Sequence, residues 1–522
     1  MRTVGFCAVT AALVVIMLCT TEVPVAAARD WSPEPDMSGD PEIDGFPDNE
    51  LVRINDEVDL SCAWVDDDDA WEDEEEEEEG EDGDLITYTW ECTAGTWKNG
   101  ENTGVTVTWI APATPSEAVG DVTFTVTASD AAEIPSGDTG DRDDDPNPSH
   151  SELVTVWNAT ITKCDAYWYP TYGGTTNFTC TIYPSALTRK IRFLLGSSSE
   201  DGRCCNFGTE SDDDPDLKFP DQTGFTIDGE PEAELRNWAT TTSQVSSAMV
   251  TVQAYDYGAY GSISADIILE EEPVEETESA YVVGEGTETS TTVPVEEDEP
   301  ANHIADVWPW NAGGATDDSE SNPAGDGTNG DGFSRYEEYR GFMVNGTHTR
   351  TNPDGEKDIF VCDEDGLANE DVDDFSALGL KIHKLAADGS EYGGSRVVNF
   401  KWDTAHNLPS QCGIRMYEGP YHQTAYGECE PSRGIPNDVL WVAIYTPSIR
   451  EDGPPTHNQT TWDPADQGCL LRVIGHELGH AVNIEQHEPG TENCIMHDVD
   501  WNDIAHDYCT TEDDCQHAWK LR

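Results

Sequence analysis

Positive charge is what this sequence has least of. Its 522 residues carry 26 lysines and arginines against 106 aspartates and glutamates, a formal net charge of −80. No basic stripe exists that could neutralise a row of phosphates, so nucleic acid and anionic membrane are poor partners. Long apolar runs are missing too, and beyond the N-terminus no segment is apolar enough to cross a bilayer. Like-charge repulsion on this scale opposes compaction unless salt screens it or cations bind. The composition therefore implies a surface adapted to high salt or to divalent cations.

The apolar run from Ala8 to Leu18 follows Met1-Arg2 and precedes Ala26-Ala27-Ala28. It is too short to span a membrane, and its A-x-A site gives residues 1–28 the form of a secretory signal. A secreted, extracellular protein is expected, with a short linker over 29–48. Of the 15 cysteines, Cys7 and Cys19 lie in the signal, which leaves an odd number behind it. Export makes disulfides chemically reasonable. Cys62 with Cys92 is the favoured pair, followed by Cys412 with Cys429 and by Cys494 with Cys509 or Cys515.

The length is too great for one hydrophobic core, so several domains are expected. Residues 49–157 alternate apolar and polar in short runs such as "LITYTW" and "DVTFTVTAS", the pattern of an antiparallel sandwich. The acidic block 66–84 interrupts them as a solvated loop, since such a run cannot pack. Together with "YTWECTAGTW" and "WIAP", these runs resemble immunoglobulin-like and polycystic-kidney-disease-type modules. Residues 158–269, with "NFTCTIYP" and "SAMVTVQAYDYG", look like a second immunoglobulin-like domain. Residues 270–300, rich in Glu, Thr, Pro and Val, read as an acidic linker. The last unit, 301–522, holds twelve of the 13 histidines. Helical patterns at 368–387 and 464–483 alternate there with strand candidates "KDIFVC", "RVVNFKW" and "VLWVAIYT".

The segment "GHELGHAVNIEQHEPGTENCIMHD" concentrates metal-binding side chains. On a helix His476 and His480 sit about 40° apart on one face and about 6 Å apart along the axis, so both imidazoles can reach one zinc ion. Glu477, rotated about 100° from His476, is placed to act on a metal-bound water as a general base. His487 is the natural third ligand, but on a continuous helix it would lie about 10.5 Å further along the axis. The helix must therefore end, and Asn483 stands where that stop is needed. Glu485, Glu488, His497 and Asp498 are alternative third ligands.

This constellation resembles the metzincin clan of zinc metallopeptidases, in its compact archaemetzincin or snapalysin branches. The resemblance implies His476, His480 and His487 as zinc ligands, Glu477 as catalytic base, Asn483 in place of the helix-ending glycine and Met496 as the methionine of the Met-turn. Two departures stand out: Asn replaces Gly, and His487 comes one residue late. The protein or peptide substrate would lie extended beside an edge strand, such as the one containing Val439 to Tyr445.

A second metal motif, "DGTNGDGFSRYEEY" at 326–339, resembles a calcium loop over 326–338. Asn329, Asp331 and Glu338 fall at its third, fifth and twelfth positions, with Gly332 at the turn. Gly327 occupies the first position, where an acid is wanted, and Asp326 stands one residue early.

The expected fold class is multidomain: N-terminal all-β immunoglobulin-like sandwiches followed by an α+β metzincin-like catalytic domain. The expected activity is that of a secreted zinc endopeptidase with Zn2+, and Ca2+ as a second ion. The alternative is a surface adhesion or polymer-binding protein with an inactive metallopeptidase-like domain, its β domains contacting polymers or cell surfaces.

Overall fold

The computed structural model describes residues 42–44, 51–63, 86–112, 120–130, 149–208, 214–229, 235–270, 276–296, 301–309, 331, 333–353, 357–367, 380–393, 396–401, 411–423, 425–431, 439–452 and 464–481. The signal at 1–28, the acidic block 66–84 and the segment beyond Ala481 lie outside these. The chain divides into two units, Met1–Val156 and Trp157–Arg522.

The first unit contains β1 (Glu42–Asp44), β2 (Leu51–Arg53), β3 (Glu57–Ala63), β4 (Ile86–Cys92), β5 (Thr96–Trp97), β6 (Thr106–Ile110), β7 (Gly120–Asp130) and the first part of β8 (Ser149–Ile161). One sheet runs β1-β3-β6-β5, and β4, β7 and β8 pair antiparallel in a second. Trp109 of β6 meets Phe124 of β7 edge-on at 4.8 Å between ring centroids, so aromatic side chains fill the space between the sheets. Trp90, Trp109 and Phe124 are fully buried. β1 joins its sheet from within the segment expected to be a linker, because Ile43 pairs with Cys62. Cys62, Cys92 and Cys429 are free thiols, which corrects the pairings of Cys62 with Cys92 and of Cys412 with Cys429. Cys92 instead turns its sulfur toward the Trp109 indole.

The second unit begins with another sandwich. Its strands are the end of β8, then β9 (Thr175–Tyr183), β10 (Lys190–Ser197), β11 (Leu217–Lys218), β12 (Phe225–Asp228), β13 (Trp238–Thr241), β14 (Ser247–Ala254), β15 (Gly261–Glu270), β16 (Glu276–Ser279), β17 (Tyr281–Val282) and β18 (Ser290–Val293). β9 alternates strictly, with Thr176, Phe178, Cys180 and Ile182 inward, and β10 repeats the pattern with Ile191, Phe193 and Leu195. The expected linker over 270–300 is corrected here. β16 and β18 pair with β15, and β17 runs parallel to β8, so 276–293 completes the sandwich.

The C-terminal part holds α1 (Arg335–Arg340), β19 (Phe342–Val344), β20 (Thr347–Thr349), β21 (Lys357–Asp363), β22 (Leu380–Leu385), β23 (Ile414–Glu418), β24 (Gly427–Pro431), β25 (Val439–Ile444), α2 (Thr446–Asp452) and α3 (Pro464–Ala481). Five strands form one sheet in the order β22-β21-β23-β25-β24, parallel except for β24. Residues 380–385, inside the segment expected to be helical, are the strand β22. The "RVVNFKW" candidate contributes only an isolated bridge between Val397 and Cys412. β25 lies between β23 and β24 and is not an edge strand.

Helix α1 joins this sheet to the sandwich. A capping box at Ser334 and Glu337 starts it, and all six of its residues are buried. Phe333, Phe342, Phe360 and Leu385 pack with Cys205, a residue of the sandwich, in one core cluster. The Tyr336 hydroxyl donates to the Gly258 carbonyl at 2.8 Å. Asn206 donates to the carbonyls of Met343 and Glu391 at 2.8 and 2.9 Å. The immunoglobulin-like sandwiches stand, whereas the α+β metzincin-like domain does not: among the described residues the helices are only three, of 6, 7 and 18 residues.

Candidate functional site

The last turns of α3 carry His476, Glu477 and His480. Leu470, Val473, Ile474, Leu478 and Ala481 form the buried stripe that seats the helix against β24 and β25. The i, i+4 spacing brings His476 Nε2 and His480 Nε2 to 3.0 Å, with the rings nearly perpendicular at 88°. Both nitrogens point to one place. Glu477 is buried, 8 % exposed, and Gly427 of β24 lies so close that a Cβ there would stand 2.5 Å from Glu477 Cγ. Burial first, and then the charge of Glu428, push the Glu477 carboxyl up to about 7. Asn483, His487 and Met496, with the alternative ligands Glu485, Glu488, His497 and Asp498, lie outside the described residues. The two imidazoles expected as zinc ligands are thus brought together, and nitrogen donors of this kind fit the borderline chemistry of Zn2+.

A second cluster forms where α1 meets β21. Asp331 sits at the turn into the helix, its Oδ1 accepting the Phe333 N–H at 2.9 Å and its Oδ2 the Asp358 N–H at 2.8 Å. Glu338 accepts the Thr351 hydroxyl at 3.1 Å. Asp358 Oδ1 meets His383 Nε2 at 2.5 Å, while Asp358 Oδ2 is buried with no hydrogen-bond partner. One carboxylate oxygen from each of Asp331, Glu338 and Asp358 lies within 4.8 Å of the other two. Burial, and then the charge of Asp358, lift Asp331 to about 8; burial, and then the charges of Asp331 and Asp358, raise Glu338 well above the carboxylate range.

Asp331 and Glu338, expected together as calcium ligands, do come together; Asn329 lies outside the described residues. Sequence reasoning missed Asp358. Its signal was an acid at an inward position of the apolar run "KDIFVC".

A third feature had no place in the sequence reading. The loop 165–174, "DAYWYPTYGG", projects from the sandwich between β8 and β9. Asp165 Oδ1 accepts the Tyr167 N–H at 2.9 Å, and Gly173 and Gly174 tie the other end to Ala254 of β14. Tyr167 is 83 % exposed, Tyr172 46 % and Tyr169 38 %. Arg203 stacks over Tyr172 at 4.5 Å and over Phe207 at 4.7 Å, and Arg350 over Tyr169 at 4.8 Å. Scarce basic residues are thus used to hold exposed rings in place.

No family model and no curated protein matches the chain. Among solved structures it is similar to the C-terminal domain of the Streptococcus pyogenes antigen I/II-family protein AspA, at 8 % identity over 46 % of this chain and 99 % of that one, TM-score 0.21. It is similar also to a marsupial T cell receptor, at 10 % identity over 48 % and 72 %, TM-score 0.19. The human F-spondin reeler domain matches at 10 % identity over 26 % and 86 %, TM-score 0.16.

The expectation of a metzincin-clan zinc metallopeptidase is corrected. The described residues fold mostly as β-sheet with three α-helices, which is not the α+β metzincin architecture that the resemblance implied. The endopeptidase activity falls with it.

Proposed function

We propose that this chain is a secreted binding protein, directed to surfaces, whose second sandwich offers the aromatic loop 165–174 to a neutral carbohydrate polymer. The carrying observation is that Tyr167, Tyr169 and Tyr172 are all exposed on one short loop, two of them braced by arginines stacked on one side of the ring. Aromatic faces pack against the C–H faces of sugar rings. Bracing lowers the ordering cost on association, so such rings make good anchors. The net charge of −80 repels polyanions, which favours an uncharged polymer. The sequence of residues 1–28 supports export. Zn2+ on His476 and His480, with His487 as third ligand, is part of this proposal as a cross-link that fixes the end of α3.

The test is retention of the full chain on insoluble cellulose, chitin and starch, compared with a Tyr167→Ala, Tyr172→Ala double variant. The wild type is expected to bind at least one polymer, and the double variant to bind it at least tenfold more weakly. Equal retention of both proteins, or retention of neither on all three polymers, sinks the reading.

A further inference from the structure

We infer that Asp331, Glu338 and Asp358 form a buried calcium site that clips α1 to β21. The three carboxylates come from the turn before α1, from α1 itself and from β21. They are 4 %, 2 % and 2 % exposed. Asp358 Oδ2 is the decisive atom. It is buried without a hydrogen-bond partner, in a carboxylate whose other oxygen is already held by His383. An orphaned anionic oxygen carries a large desolvation cost, and a cation bound to it removes that cost.

Calcium bonds to oxygen are about 2.3–2.6 Å long, so ligand atoms around one ion are at most about 4.6–5.2 Å apart. Oxygens that all lie within 4.8 Å of one another meet that limit. Hard carboxylate donors with no sulfur among them select a hard cation over a late transition metal. Asp331 and Asp358 are already oriented by main-chain and side-chain hydrogen bonds. The ion therefore enters a cradle that needs little ordering.

The consequence reaches beyond the cluster. Glu338 lies two residues before Arg340, which is anchored in the sandwich through Asp256. An ion on Glu338 fixes α1 to the sheet while Arg340 fixes it to the sandwich. Calcium thereby sets the rigidity of the join within the second unit.

The test is hydrogen exchange of the full chain, stripped with EDTA and then given Ca2+ alone, in about 1 M NaCl, where a Debye length of about 3 Å screens the surface acids. Calcium is expected to slow exchange at least tenfold in peptides covering 333–340 and 357–363. An Asp358→Asn chain, its fold checked by near-ultraviolet circular dichroism, is expected to lose that slowing and one tight site by calorimetry. If Asp358→Asn does not fold, Glu338→Gln takes its place. Wild-type peptides that exchange alike with and without Ca2+, or slowing that persists unchanged in the variant, overturn the site and leave a cluster held by protons only.

Discussion

Arg340 on α1 and Asp256, just after β14, form an ion pair in which neither side chain is exposed, with Nη2 2.9 Å from Oδ2 and Nε 3.2 Å from Oδ1. The guanidinium also donates to the carbonyls of Lys401 at 3.1 Å and Asp201 at 2.6 Å, and to that of Gly202. Asp256 Oδ1 accepts the Gly258 N–H at 2.7 Å. The charges are thus taken out of water with their hydrogen-bonding capacity largely used, the condition under which a buried pair can be tolerated.

Removing one partner reverses that balance. Arg340→Met leaves the Asp256 carboxylate buried and unpaired and strands three carbonyls. Loss of a buried partner costs about 3–5 kcal/mol. Urea unfolding of the variant should show that loss in the transition assigned to the second unit. A change below about 1 kcal/mol would show that the join does not depend on this pair.

Acid should weaken the same region through His348. Its ring stacks on Tyr257 at 3.4 Å, and its Nε2–H donates to the Arg340 carbonyl at 2.9 Å. Burial first, and then the charge of Arg350, lower this histidine from 6.5 to about 4. The unfolded chain therefore binds a proton between these values that the folded chain refuses. Stability is complete above about pH 6.5 and is lost as pH falls toward 4, by on the order of 2 kcal/mol after allowance for partial exposure. His348→Gln should flatten this part of the pH profile of the melting temperature, and an unchanged slope would contradict the assignment.

In the first unit, Gly95 has φ +87, and a Cβ there would stand 2.6 Å from the Ile110 carbonyl and 2.3 Å from Trp109 Nε1. Gly95→Ala must adopt a disfavoured backbone and push the main indole of the core aside. A loss of about 2–3 kcal/mol is expected, measured as a lowered melting transition for this unit. A variant as stable as the wild type would mean that the turn relaxes freely.

The histidine pair makes a separate prediction about metal content. The full chain purified from zinc-containing medium should hold one zinc ion that His476→Gln or His480→Gln removes, read by elemental analysis after dialysis. Equal zinc in all three proteins would deny the pair any part in binding.

Which features were legible follows from the range of the contacts that make them. Strands such as β9 and β10 announce themselves by alternation, because each needs only a buried and an exposed face. The convergence of His476 and His480 is equally local, set by one turn of helix. β16 and β18 were hidden because edge strands tolerate Glu, Thr and Ser, which also mark linkers. β22, "LKIHKL", suits a short helix by composition, and only pairing with β21 makes it a strand. The Asp331, Glu338 and Asp358 cluster and the Arg340–Asp256 pair depend on distant segments meeting, which no local period records. The ring-bearing loop was visible as letters but not as exposure.

Six consecutive buried residues in α1, next to one core built on Phe333 and Phe342 and another built on Tyr336 and Tyr339, have a consequence for how the protein can be cut. A fragment starting at residue 301 would expose the faces of Tyr336 and Tyr339 that pack near Tyr260 and would abandon a guanidinium to an empty pocket. The sandwich and the sheet behind it therefore have to be expressed together, because a boundary drawn between them cuts through a shared core.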